Sequence, residues 1–537
     1  MVGSTLFEVF GSVVSSLTRG VGEHLVDTNE DLRNLESFGY NTFESTGLEW
    51  DYHPVGEFIY EEYGNREVSN AGYLTLNQRT DLYAFSPEHS EDRVDEIEDT
   101  AMLWKLFRPS LKRTVMKSLY FGFLISFLSA LLTGSVSIFG YYMSYQVRLV
   151  CLARHNQSAI PIEIQWSKTA SATMTGVFSY NWFTLNTLFF FRSYQIKEVK
   201  QSLFLVSYCS YVLFVFYRLL LQENGIYFSV WTPLLRIPDK ALFALDVCVQ
   251  TWIIAKHFST GNGAKKLKTF ILLIVSCAVP ITMGLVVANF IYPAYDKQEQ
   301  TGKILIATFT PLIFVILKVI SRFSVQRLWR ISHPGRAFAY LVPAYYGSAV
   351  MTRLLQVDLV NVKSITLIGI IHGLAEVIER SVVVFIDYLY HRISQRKTVV
   401  WKHFRSPRLE RLATDIAIMS MLYEASAVIS VNGFLHLHEY FYTNNKTCPQ
   451  IIQSFVITTS VPLSIEWFFS GMTIAIETHF QNRPIFAVWR KQWRRHLILA
   501  IINAVLIVIW SSTTLLVAIK GQFPDMKDYC ELPFTRM

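Results

Sequence analysis

Charge is scarce in this chain: of 537 residues only 17% are Asp, Glu, Lys or Arg, against 51% hydrophobic. A string of soluble domains needs more polar surface than that, so the ordinary globular class is excluded. Six cysteines are too few for a disulfide-framework protein, and 25 glycines with 17 prolines exclude collagenous and low-complexity classes. Lysine is missing from residues 1–100. The start therefore lacks the basic leader of a secretory signal peptide, and Glu8 interrupts its first apolar stretch.

Motifs for several chemistries are missing as well. Gly261-Asn262-Gly263-Ala264-Lys265 is too short for a phosphate-cradling loop, which speaks against ATP-driven pumping. Neither a His-Glu-x-x-His zinc helix nor a Gly-x-Ser-x-Gly nucleophile elbow occurs, and no motif calls for a cofactor.

What the chain does hold is long apolar runs. A bilayer core needs about 20 apolar residues per helix, and eleven stretches approach that. They are Leu119–Tyr142, Ser171–Phe191, Ser202–Leu221, Ala241–His257, Thr269–Tyr292, Ile304–Ile320, Ala337–Leu354, Ser364–Tyr388, Ala413–His436, Ile451–Ile476 and Leu497–Ile519. The fourth and sixth are the shortest, and the fourth carries Asp246. The expected fold is an all-α polytopic membrane bundle of about eleven transmembrane helices over residues 101–520, with a short outer tail at 521–537.

Charge sets its orientation. Residues 1–100 hold 21 acidic residues and 5 Arg, and the remainder 20 acidic and 44 basic. The basic residues cluster between apolar runs, as in Lys265-Lys266-Leu267-Lys268 and Arg490-Lys491. That is the pattern of cytoplasmic loops and not of a nucleic-acid surface, so no nucleic-acid partner is expected. With the N-terminus inside, the inner loops receive more than twice the Lys and Arg of the outer ones, and the C-terminus emerges outside. The two glycosylation sequons, at Asn156 and Asn445, then fall on outer loops. So do Cys151, Cys448 and Cys530, of which Cys448 and Cys530 flank the last two spans and make the favoured disulfide. The setting is the plasma membrane or an endomembrane of the secretory pathway.

Within the N-terminal region, Leu6, Phe7, Phe10, Val13, Val14 and Leu17 follow helical spacing, so an amphipathic helix is expected near residues 4–20. Residues 26–100 show no persistent period and read as a partly disordered segment suited to docking a cytoplasmic protein partner. Two similarities hint at a parallel internal repeat. Trp104-Lys105-Leu106-Phe107-Arg108 resembles Trp401-Lys402-His403-Phe404-Arg405, and Ser179–Phe183 resembles Ser464–Phe468.

Charges inside the runs carry the functional expectation. The eighth run has His372, Glu376, Glu379 and Arg380, with Asp387 near its end; the ninth adds Glu424 and the tenth Glu466. An acid at the centre of a spanning helix costs about 2.5–3.5 kcal/mol to insert, so four facing lipid would cost about 10 kcal/mol. They must face one another, a partner or water. Glu376 and Arg380 can pair locally at i and i+4, yet one Arg does not balance four carboxylates. The surplus calls for protons or a cation. The expected function is transport of a small cation or a proton-coupled solute along His372, Glu376, Glu379, Glu424 and Glu466, with Arg380 as internal counter-charge. Two alternatives stand beside it: a non-enzymatic receptor or scaffold acting through the acidic N-terminal region, and a membrane-embedded transferase using His372. The types and spacing of His372, Glu376 and Glu379 also suit a divalent ion, but no second His shares that face and no metal site is assigned.

Overall fold

A computed structural model describes residues 111–135, 162–191, 195–223, 237–259, 263–328, 331–332, 334–357, 362–395, 407–442, 448–481, 483 and 485–522. The acidic region 1–100, the segments Trp104–Arg108 and Trp401–Arg405, both sequons, Cys151 and Cys530 lie outside them.

The described residues are helical and include no strand. In chain order the helices are α1 (Leu111–Ser129), α2 (Ile162–Phe190), α3 (Lys200–Glu223), α4 (Ile237–Phe258), α5 (Gly263–Val286), α6 (Tyr292–Asp296) and α7 (Gln300–Arg327). They continue with α8 (Val342–Val357), α9 (Val362–Gln395), α10 (Pro407–Tyr442), α11 (Cys448–His479) and α12 (Ile485–Gln522). A π-helical segment, Ala130–Gly134, extends α1, and another, Val287–Ile291, joins α5 to α6. Pro280 and Gly284 do not end α5, and Pro311 lies inside α7. Pro343 sits in the first turn of α8, where a missing N–H loses no helical bond.

Six helices are long and apolar enough to cross a bilayer: α3, α4, α5, α7, α10 and α11. This marks a membrane protein. The eleven expected runs all overlap helices, but the remaining five do not meet the same standard of length and hydropathy among the described residues. The seventh run divides into a 3₁₀ segment (Pro334–Tyr340) and α8, whose 16 residues extend only about 24 Å. The eighth falls in α9, which carries His372, Glu376, Glu379 and Arg380.

Side-chain burial inverts the pattern of a soluble protein. On α7, Leu305, Phe309, Leu312 and Ile316 stand out on one face, while Thr310, Ser321 and Arg322 are buried. Water would penalise that arrangement and hydrocarbon rewards it. Helix α10 differs from the other five: 94% of its most apolar stretch is buried, against 17–33% for the rest. Protein, and not lipid, surrounds it.

The chain forms two compact units. Of the described residues, those within 111–123, 375–418 and 468–493 make the first, and those within 124–374, 419–467 and 494–522 make the second. In the first, Val377 of α9 packs with Ile476 of α11 and with Phe480, beside Leu111 of α1 and Phe469 of α11. Phe121 meets Phe486 and Trp489 of α12 edge-on. In the second, α2 packs on α3 and α4, and α5 on α4, α7 and α8.

Candidate functional site

One group of charged side chains in the second unit lies on α8, α9, α10 and α11. Arg353 reaches from the penultimate turn of α8 and is the hub. Its Nη2 donates to Oε2 of Glu466 at 2.5 Å and to Oε2 of Glu424 at 3.3 Å. Its Nη1 donates to Oε1 of Gln356, one turn on, at 2.8 Å. All four groups are buried. An Arg serves here because its planar fork offers several donors to two carboxylates at once, which a Lys cannot match.

Packing fixes the acidic partner from α10. Tyr346 of α8 stacks on Tyr423, with ring centroids 4.5 Å apart, and its hydroxyl bonds that of Ser426 at 2.9 Å. These contacts lock Glu424 between them on the helix. Ser129 of α1 donates to the carbonyl of Leu422. On α9, Gly369 lies against Ile465 of α11, where a Cβ would come within 3.2 Å of the isoleucine side chain. A side chain at position 369 would press on Ile465 where α9 and α11 approach.

His372 completes the group. Its Nε2 lies 3.9 Å from Oε2 of Glu424, beyond direct hydrogen bonding. Both ring nitrogens are buried and without a hydrogen-bond partner. Farther out, Lys318 of α7 also acts electrostatically on Glu424. Its ammonium sits 5.1 Å from the Tyr345 ring, and Arg322 donates to the Tyr345 hydroxyl at 2.6 Å.

The first unit holds a second cluster. Arg380 donates to Oε2 of Glu477 at 2.7 Å and to Oε1 of Glu376 at 3.4 Å. Arg483 donates to Oε1 of Glu477 at 2.6 Å. Gln481 donates to the Ser381 carbonyl at 2.9 Å, tying α9 to the end of α11. Two carboxylates and two guanidiniums interlock, and the i, i+4 pairing of Glu376 with Arg380 is realised. Arg411 and Asp415 make a further buried pair on α10 at 3.2 Å.

The expected pathway residues therefore sort into separate groups. His372, Glu424 and Glu466 come together, and Glu376 with Arg380 belongs to the other cluster. Glu379 is half-buried. Arg380 is the one counter-charge expected among these acids; Arg353 and Arg483 supply two more. Both lay at the margins of apolar runs: Arg353 is the last residue but one of the seventh, and Arg483 follows the tenth. Glu477 lies one residue past the tenth run and was likewise outside it. Sequence alone offered no sign that these three faced the interior.

Among the described residues no three His, Cys, Asp or Glu side chains are placed to hold a metal. Cys448 is exposed, and its favoured partner Cys530 lies outside the described residues. In the proposed internal repeat, Asn181 bonds the Val177 carbonyl of its own helix at 2.8 Å, whereas Glu466 bonds Arg353. Comparison with family models, curated proteins and solved structures finds no match. The functional reading accordingly rests on side-chain chemistry.

Proposed function

We propose that this chain is a membrane transporter for a small cation, or for a solute coupled to a proton, with His372 and Glu424 as its charge-handling pair. The observation that carries the reading is the partly buried His372 ring, whose two nitrogens are shielded from solvent without a hydrogen bond of normal length, Nε2 lying 3.9 Å from the Glu424 carboxylate. A histidine kept for packing satisfies its nitrogens, since an unmet buried polar group costs about 1–3 kcal/mol. Histidine is also the side chain whose ordinary protonation change lies nearest neutral pH. Arg353 holds Glu424 and Glu466 in place and stabilises their charge, so that the pair can gain and lose a proton or cation without disordering the interior. The Glu376–Arg380–Glu477–Arg483 cluster serves as a structural clamp in this reading.

The proposed topology is the eleven-span one, in the plasma membrane or an endomembrane of the secretory pathway. Its N-terminal region is cytoplasmic, its glycans stand on Asn156 and Asn445, and Cys448 pairs with Cys530.

The test is flux through purified protein in liposomes, read by an entrapped pH dye under a potassium diffusion potential. Sodium and calcium gradients are run in parallel. Wild type conducts above empty vesicles, and Glu424→Gln and His372→Gln fall to that background while keeping wild-type helicity. Unchanged flux in Glu424→Gln defeats the proposal. A scaffold acting through residues 26–100 makes the opposite prediction: deleting residues 1–100 abolishes function, and Glu424→Gln is silent.

A further inference from the structure

Asp246 lies near the middle of α4, a helix long and apolar enough to cross the bilayer, and is 1% exposed. Among the described residues no Lys, Arg or His contacts it. Its Oδ2 accepts from Nε2 of Gln250, one turn along, at 2.9 Å, and its Oδ1 is buried without a hydrogen bond. Gln250 is itself fully buried, and its Oε1 accepts from the Thr184 hydroxyl of α2 at 2.6 Å. Ser210 of α3 is the other polar side chain acting on the carboxylate.

The charged neighbours are already engaged or neutral. Arg218 of α3 binds Asp239 of α4 at 2.5 Å. Tyr180 of α2 lies near both aspartates and carries no cation. On α5, the buried Cys277 thiol lies beside Tyr340. A carboxylate here has the Gln250 amide and the Ser210 hydroxyl beside it and no cation in contact. In a low-dielectric interior that favours the neutral acid.

The neighbouring amide suits either charge state. The two ends of the Gln250 side chain are nearly isosteric, and a half-turn about its last torsion exchanges oxygen for nitrogen. With Asp246 ionised, Thr184 donates to Gln250 and Gln250 donates to Asp246, as observed. With Asp246 protonated, its O–H donates to the Gln250 oxygen and the Gln250 nitrogen donates to Thr184. The Thr184 hydroxyl then turns to a carbonyl of its own helix. Each state keeps a continuous chain of bonds with no displacement of the backbone. A purely structural polar contact needs only one of these arrangements.

We propose that Asp246 is an intramembrane proton-binding site, with Gln250 and Thr184 as a reversible hydrogen-bond relay that supports both the acid and its anion. The proton adds to a carboxylate oxygen and forms an O–H bond, leaving the site neutral. This site is distinct from the His372–Glu424 pair and does not depend on it.

Infrared spectra of the full chain in lipid test the assignment, because a protonated carboxyl has a carbonyl band that a carboxylate lacks. At neutral pH the wild type shows an acid band that Asp246→Asn removes and Glu424→Gln leaves in place. Gln250→Leu keeps the band but moves it to higher frequency, since the acid loses its partner. That shift also serves if Asp246→Asn does not fold, and an unmoved band overturns the relay. A wild-type-minus-Asp246→Asn difference containing only carboxylate bands at neutral pH overturns the proposal. So does loss of the acid band on adding sodium or potassium at fixed pH, which makes a metal ion the ligand. The readout is vibrational and not flux, so failure of the transporter reading leaves this result intact, and the reverse also holds.

Discussion

Removing the Arg353 guanidinium leaves Glu424 and Glu466 buried together without their shared donor. Breaking a buried ion pair from one side costs about 3–5 kcal/mol, more than the pair itself contributes, because an uncompensated charge is left behind. Arg353→Ala is therefore expected to destabilise by about that amount. Adding Glu466→Gln to it should restore a large part, a coupling that a double-mutant cycle of denaturant unfolding in detergent measures. Additive losses would mean that the two side chains do not act as one unit. The acids of this site were legible in sequence because a Glu inside an apolar run stands out. Their partner was not: Arg353 lies 113 positions before Glu466, at the margin of its own run. A sequence shows how deep a charge sits along its helix, but not which neighbour the helix turns it toward.

At the scale of the element, helix contacts depend on where a side chain is missing. A Cβ on Gly471 of α11 would stand 3.1 Å from the Leu119 backbone of α1, and one on Gly122 would stand 3.5 Å from Gly471 itself. Gly471→Ala forces these helices apart and should cost about 1–3 kcal/mol. Gly347, inside α8, has no atom within 4 Å of its virtual Cβ. Gly347→Ala should instead stabilise by about 0.5–1 kcal/mol through helix propensity alone. Thermal unfolding of the two variants checks both signs at once. The helices themselves were the most legible feature. Each expected run overlaps one, since a period of apolar side chains needs no tertiary information. The brevity of the fourth and sixth runs proved superficial, because α4 and α7 extend past them into polar turns. The seventh run illustrates the converse: apolar content does not reveal that Pro334–Tyr340 winds as a 3₁₀ segment ahead of a short α8.

For the whole molecule, the proposed orientation can be read from one thiol. Cys448 opens α11 and is exposed. A membrane-impermeant maleimide should modify it from the outer face of intact cells and not from the cytoplasmic face of inverted vesicles. A requirement for prior reduction would report the bridge to Cys530. Labelling confined to inverted vesicles would reverse the topology. The composition pointed to the membrane correctly, because apolar surface in such excess has no other stable home.

Helix α10 is wrapped by protein on nearly every side while carrying Asp415, Glu424 and Asn432. During synthesis it leaves the ribosome before α11, which supplies the Thr458 carbonyl for Asn432 and the Ser454 hydroxyl for His436. A segment with those groups cannot be released into lipid alone without exposing them. The insertion machinery must therefore retain α10 until its successor arrives, so nascent chains truncated between the two should remain crosslinkable to the translocon.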